Sequence, residues 1–200
     1  MSTDSEIIER SIDEPEAFSG IFERYVRPVG GYIRRRVGAD AVEDALSETF
    51  LVAFRRRGSF DLGVGSALPW LLGIATRVVR SHRADEAKQW RSFQAASGAA
   101  TVGESGHGAV EERMDADAAL RALAPRIAAL SARDRDTLLL YAWGDLTYDQ
   151  IALALGIPVG TVRSRLNRVR RKLAPPGSHS AARLTWMAKE ERDVAYGTRA

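Results

Sequence analysis

Apolar residues recur along this chain at intervals of three and four and almost nowhere at intervals of two, so the pattern predicts helices. Over residues 15 to 37 the apolar positions Phe18, Ile21, Phe22, Tyr25, Val29, Tyr32, Ile33 and Val37 keep a helical period. Pro28 and the Gly30-Gly31 pair are expected to interrupt it. Residues 40 to 57 predict a second helix with Val42, Ala45, Leu46, Thr49, Phe50, Ala53 and Phe54 inward. Its outer side is acidic early (Glu43, Asp44, Glu48) and basic late (Arg55 to Arg57), which suits the helix dipole. A glycine-containing loop, Gly58 to Gly65, leads into a third helix of about 17 residues. That helix carries Trp70, Leu71, Ile74, Val78 and Val79 inward, with Arg77, Arg80, His82 and Arg83 outward or near its end.

From about 95 to 109 the chain turns to Ala, Gly, Ser and Thr without periodicity, the composition of a flexible linker. The expected organisation is therefore all-α, with two small helical domains. The first spans 1–94, the linker 95–114 and the second domain 115–173, followed by a tail over 174–200. In the second domain Leu120, Leu123, Ile127 and Leu130 mark one helix, with a kink or late start at Pro125. Ser131 and Asp134 cap the next, whose Leu138 to Leu140, Tyr141 and Trp143 form a platform.

Residues 147 to 173 predict two short helices joined by a tight turn, a helix-turn-helix. Thr147 and Gln150 have capping-box spacing, Gly156 tolerates positive φ, and Pro158 sets the entry to the second helix. At about 100° per residue, Val162, Leu166, Val169 and Leu173 fall on one inward face. Ser164, Asn167, Arg168 and Arg171 stand opposite, with Arg163 and Arg170 on one flank and Arg165 and Lys172 on the other. Such a helix fits a major groove: tip residues reach base edges, and flanking cations hold the phosphate walls.

Composition narrows the class. The chain has 200 residues, 45% hydrophobic and 28% charged, which is ordinary for a globular protein. No apolar run approaches the ~18 residues of a membrane span, and the acidic start has no signal-peptide pattern. A cytoplasmic location without membrane insertion is the expectation. With no cysteine, disulfides and thiolate metal sites are excluded. The net charge of +3 is modest, but acids gather at 4–23 and 104–117 while bases gather at 34–36, 55–57, 77–83 and 163–172. That segregation favours a polyanion met by particular faces. His82, His107 and His179 stand in unrelated contexts, and no phosphate-cradling glycine loop appears, so neither an enzyme nor a cofactor is expected.

Three stretches, in this order and spacing, resemble a sigma factor of bacterial RNA polymerase of the small extracytoplasmic-function (ECF) type. Val42 to Phe54 is similar to the acidic helix that docks on the polymerase clamp. Ser59 to Ala75 is similar to the loop and helix that open the −10 element. Leu130 to Leu166 is similar to the module that reads the −35 element. The resemblance implies Ser164, Asn167 and Arg168 as −35 base readers, with Arg163, Arg165 and Arg171 on phosphates. It implies Glu43, Asp44, Ser47 and Glu48 at core RNA polymerase. Phe60, Asp61 and Trp70 would serve the pocket for a flipped −10 base, Trp70 either as a core aromatic or as a stacking residue. Arg77, Arg80 and Arg83 would contact the DNA near the melting point.

The chain departs from the family at Ser47, where Gln is frequent, at Arg77, where Asn is common, and at Gly73, where Arg is common. The first weakens one polymerase contact, the second alters the −10 preference and the third trims one cation. The linker acids Glu104, Glu111 and Glu112 would mimic nucleic acid near the polymerase active site, or merely tether. An anti-sigma partner is also implied. The competing readings are a helix-turn-helix regulator that binds an operator without polymerase, and a sigma mimic that only sequesters an anti-sigma protein.

Overall fold

The computed structural model describes residues 2–97 and 126–174, with backbone alone for 84–97. The chain divides into two compact units, Met1–Val110 and Glu111–Ala200. Every regular element among the described residues is a helix.

The first unit begins with a helix that is not among those expected from periodicity, α1 (Asp4–Asp13). A capping box starts it: Glu6 N–H donates to Thr3 Oγ1 at 3.2 Å, and Thr3 N–H donates to Glu6 Oε2 at 2.9 Å. Ile7, Ile8 and Ser11 form its buried stripe. The Thr-x-x-Glu spacing before two isoleucines was the available signal, masked by the acidic composition around it.

A single 3-10 turn (Pro15–Phe18) leads into α2 (Ser19–Arg34), which runs unbroken through Pro28 and both glycines, against expectation. Pro28 removes one backbone donor. On the same helix Ile21, Val29 and Ile33 are completely buried and Tyr32 nearly so. Burying each such side chain is worth about 1.5–3 kcal/mol, enough to carry the helix past its breakers.

Helix α3 (Val42–Arg56) buries Val42, Ala45, Thr49, Phe50 and Ala53. Its rings meet those of the preceding turn and of α2 edge to face, Phe54 on Phe18 at 5.5 Å and Phe50 on Phe22 at 4.9 Å. Helix α4 (Leu68–Ser97) is longer than the sequence suggested and extends into the segment assigned to the linker. Leu71, Leu72, Ile74, Ala75 and Val79 bury its inner side. Within that core Tyr32 Oη and Thr76 Oγ1 are 2.7 Å apart, and Arg36 donates to both, so these two buried hydroxyls are paired.

One carboxylate ties the first unit together. Asp4 is 3% exposed and accepts hydrogen bonds from Arg24 and Tyr25 of α2 and, at 2.7 Å, from the amide of Ala67 just before α4. Its neighbour Ser5 donates to the carbonyl oxygen of Leu62 at 2.9 Å and reaches that of Val64 at 3.3 Å. The start of α1 therefore fixes the loop over 61–67.

The second unit holds α5 (Ala132–Trp143), α6 (Tyr148–Leu155) and α7 (Val159–Leu173). Ser131 caps α5 by accepting the Asp134 amide at 3.2 Å. Leu138, Leu139, Leu140 and Tyr141 are buried as expected, whereas Trp143 is 37% exposed. Ile127 and Leu130 pack with Leu138, Val169 and Leu173. The expected helix over Leu120 and Leu123 lies outside the described residues, as do the remainder of the linker and the tail.

Candidate nucleic-acid interface

The helix-turn-helix is built by local rules. Gln150 and Thr147 exchange side-chain and backbone hydrogen bonds at 3.0 and 3.3 Å, starting α6. Gly156 ends it in the left-handed region at φ 65°, ψ 43°, where an L side chain is strained. Its amide closes on Leu153, and the next amide, Ile157, closes on Ala152. Pro158 then stands at the N-cap of α7 with φ −60°.

Helix α7 buries Val162, Leu166 and Val169 to within 1% and presents Arg163, Ser164, Asn167, Arg168, Arg171 and Lys172 to solvent. This is the division the periodicity predicted. Five of the exposed or flanking groups have partners that the sequence did not reveal. Arg168 donates at 3.0 Å to Asp134 of α5, a carboxylate only 2% exposed. Arg165, half-buried, reaches Thr137 at 3.5 Å. Asn167 accepts from Arg170 at 3.1 Å, and Arg170 also donates to the Tyr148 hydroxyl at 2.8 Å. Ser164 bonds to the carbonyl of Thr161 at 2.9 Å. The base-edge candidates thus stand on a wired platform rather than as loose surface chains.

In the first unit, Phe60 is 7% exposed and meets half-buried Trp70 edge to face at 5.2 Å. Phe60 accordingly offers no open face for a stacked base. Burial makes it the support of Trp70. Exposed Asp61 folds back on its own loop and accepts the Gly63 amide at 2.9 Å, so its carboxylate shapes the turn. The position of Gly63 is tight, since a Cβ there would come within 3.2 Å of that carboxylate.

Arg77, Arg80 and Arg83 are exposed on α4. Partial burial, followed by repulsion from Arg56 and then Arg80, holds the Arg77 guanidinium below the usual arginine value. Cations brought this close are suited to a polyanion that relieves their repulsion.

Glu43, Asp44, Ser47 and Glu48 are all exposed on α3. Glu48 is not a free acid there, because His82 of α4 sits 2.6 Å from its Oε2. Leu51 and Phe22 are 47% and 44% exposed on the α2 and α3 surface, leaving apolar side chains beside the acids. Among the described residues there is no cluster able to hold a metal ion, and no helix is long and apolar enough to cross a membrane.

With this geometry in hand, comparisons with known proteins agree on one family. The Sigma-70 region 2 family model matches residues 21–89, and the Sigma-70, region 4 model matches residues 118–173. RNA polymerase sigma factor HrpL of Pseudomonas syringae pv. syringae is 31% identical over 151 residues, covering 74% of this chain and 80% of that protein. The ECF RNA polymerase sigma-E factor of Escherichia coli (strain K12) is 29% identical over 177 residues, 86% of this chain and 92% of that one. Among solved structures, CnrH in complex with the cytosolic domain of CnrY shares the fold with a TM-score of 0.58 at 20% identity. That likeness covers 86% of this chain and 95% of CnrH. The sigma factor RpoE of Bartonella quintana, solved with the anti-sigma factor NepR, has a TM-score of 0.55 at 22% identity, covering 78% and 93%. The chain belongs to the sigma-70 family of RNA polymerase sigma factors and is of the ECF type.

Proposed function

We propose that this sigma factor recruits core RNA polymerase to promoters that it reads at two points, −35 and −10, and helps to open the second. The observation that carries the proposal is the two-sided character of α7, a buried apolar seam backing an outer face of short polar and arginine side chains. On that face Ser164, Asn167 and Arg168 address base edges of the −35 element, and Arg163, Arg165 and Arg171 hold phosphates. Arg77, Arg80 and Arg83 of α4 bind the DNA backbone at −10. The loop from Phe60 to Pro69, shaped by Asp61 and floored by Trp70 with Phe60 supporting it, receives the unstacked base. The face of α3 carrying Glu43, Asp44, Ser47 and Glu48 docks on the polymerase. We assign these roles to a first domain over 1–94 and a second over 115–173, joined by the 95–114 linker. The protein itself makes and breaks no covalent bond in this scheme. It acts in the cytoplasm, where polymerase and promoters meet, and an anti-sigma factor holds it in reserve, as the names of its structural relatives suggest.

Runoff transcription with core polymerase and a promoter library tests the scheme. Addition of the protein is expected to yield promoter-specific transcripts, while the protein alone shifts the same DNA only weakly. Tight operator binding without polymerase, and no promoter-specific transcript with it, would favour a free-standing regulator instead.

A further inference from the structure

The platform under Asn167 has a chemical consequence for which base it reads. Tyr148 is 5% exposed at the start of α6, its ring centroid 5.7 Å from that of Tyr141. Its hydroxyl accepts from Nη2 of Arg170 at 2.8 Å, and Nη1 of the same guanidinium donates to Oδ1 of Asn167 at 3.1 Å. A guanidinium has donors and no acceptor, so only the carbonyl oxygen of the carboxamide can face it. Oxygen and nitrogen of an amide are otherwise hard to tell apart. Here chemistry decides their order. The carbonyl is turned back along α7 toward Arg170, and the edge left for the groove is the NH2 group with its donors.

An unrestrained asparagine pairs with adenine through both ends, its NH2 to N7 and its carbonyl to the N6 amino group. The Arg170 guanidinium engages one of the carbonyl's two lone pairs and fixes its direction, which makes the carbonyl a poorer partner for the N6 amino group. The remaining donors match a base that presents a keto oxygen in the major groove, guanine above all, whose N7 and O6 are adjacent acceptors. Cytosine and adenine each set an amino group against the NH2.

We infer that Asn167 selects a keto base, guanine first, within the −35 element, and that Arg170 and Tyr148 are positioning residues that set this choice. The inference rests on the assignment of Asn167 as a base reader made under the proposed function.

The test uses the full chain with core polymerase and a library carrying all four bases at each −35 position. Asn167→Ala identifies the base pair that Asn167 reads, as the position where preference flattens. At that pair the native protein is expected to favour guanine over adenine by roughly tenfold. Tyr148→Phe, which keeps the ring and every charge, and Arg170→Met, which keeps the side-chain volume, are each expected to raise adenine relative to guanine there several-fold. Preferences at the other positions stay as they were. A general loss of affinity or stability would move all positions together, so the base ratio isolates positioning from folding.

The inference is overturned if the native protein prefers adenine or cytosine at the Asn167 pair, or if neither variant changes the ratio. If Asn167→Ala flattens no position while promoter-specific transcripts persist, the base-reading role of Asn167 fails and takes the inference with it. If the native protein yields no such transcripts, the sigma reading itself fails.

Discussion

Replacing Arg168 with alanine removes two things at once, and the structure says how to separate them. The first is a candidate base contact, whose loss should cost about 1–3 kcal/mol of −35 discrimination. The second is the partner of Asp134, a carboxylate 2% exposed and 3.0 Å from the guanidinium. A buried acceptor left without its partner costs about 1–3 kcal/mol. Arg168 itself is 49% exposed in this pair, so water screens part of the attraction, and we take the lower end, about 1 kcal/mol. A unit of 90 residues (Glu111–Ala200) has roughly 5–14 kcal/mol of stability in total, so that loss registers in an unfolding curve. Arg168→Ala should therefore lower both the urea midpoint of the second unit and the −35 selectivity in runoff transcription. Adding Asp134→Leu, which removes the buried charge, should restore most of the stability and none of the selectivity. If the double variant regains selectivity, Arg168 is a strut for the fold and reads no base. If Arg168→Ala leaves the urea midpoint unmoved, the ion pair contributes nothing to the stability of the second unit.

Two further outcomes follow from the geometry. Gly156→Ala meets open space but is held at φ 65°, so it should destabilise the second unit by about 1–2 kcal/mol through backbone strain alone. Thermal unfolding followed by circular dichroism checks this, and an unchanged midpoint would count against the left-handed cap. Asp4→Ala strips the acceptor from Arg24, Tyr25 and the Ala67 amide, and should cost the first unit about 3 kcal/mol. Hydrogen exchange should show the Ala67 amide losing protection; an amide still protected would mean that something else holds the loop.

How much of this was legible in the sequence depends on the range of the forces involved. The seam of α7, the Thr147–Gln150 box and the Gly156 stop are local, set by neighbours within a turn or two, and the spacing of residues declares them. The persistence of α2 through Pro28 was not legible, because it depends on burial of Val29, Tyr32 and Ile33 against other helices. The Asp134–Arg168 and Glu48–His82 pairs join residues 34 positions apart in each case, and nothing in a one-dimensional charge pattern selects those partners. Phe60 illustrates the same limit. The family resemblance put it with Asp61 and Trp70 at the −10 pocket, but its burial against Trp70 is a contact that no local spacing declares. The start of α1 was different: its capping box was present in the letters and was outweighed by composition.

The contacts of Asp4 also bear on the order in which the first unit is completed during synthesis. Residues 4 and 67 are 63 positions apart, yet the carboxylate of one closes on the amide of the other. When α1 leaves the ribosome, the acceptor is made and its backbone donor is not. Chain growth at about 5–20 residues per second leaves several seconds before Ala67 emerges. During that interval Ile7 and Ile8 lack the rest of the core that buries them. Helix α1, made well before Ala67, is thus fully seated only after it, and the nascent chain exposes this apolar stripe to whatever meets it at the exit tunnel.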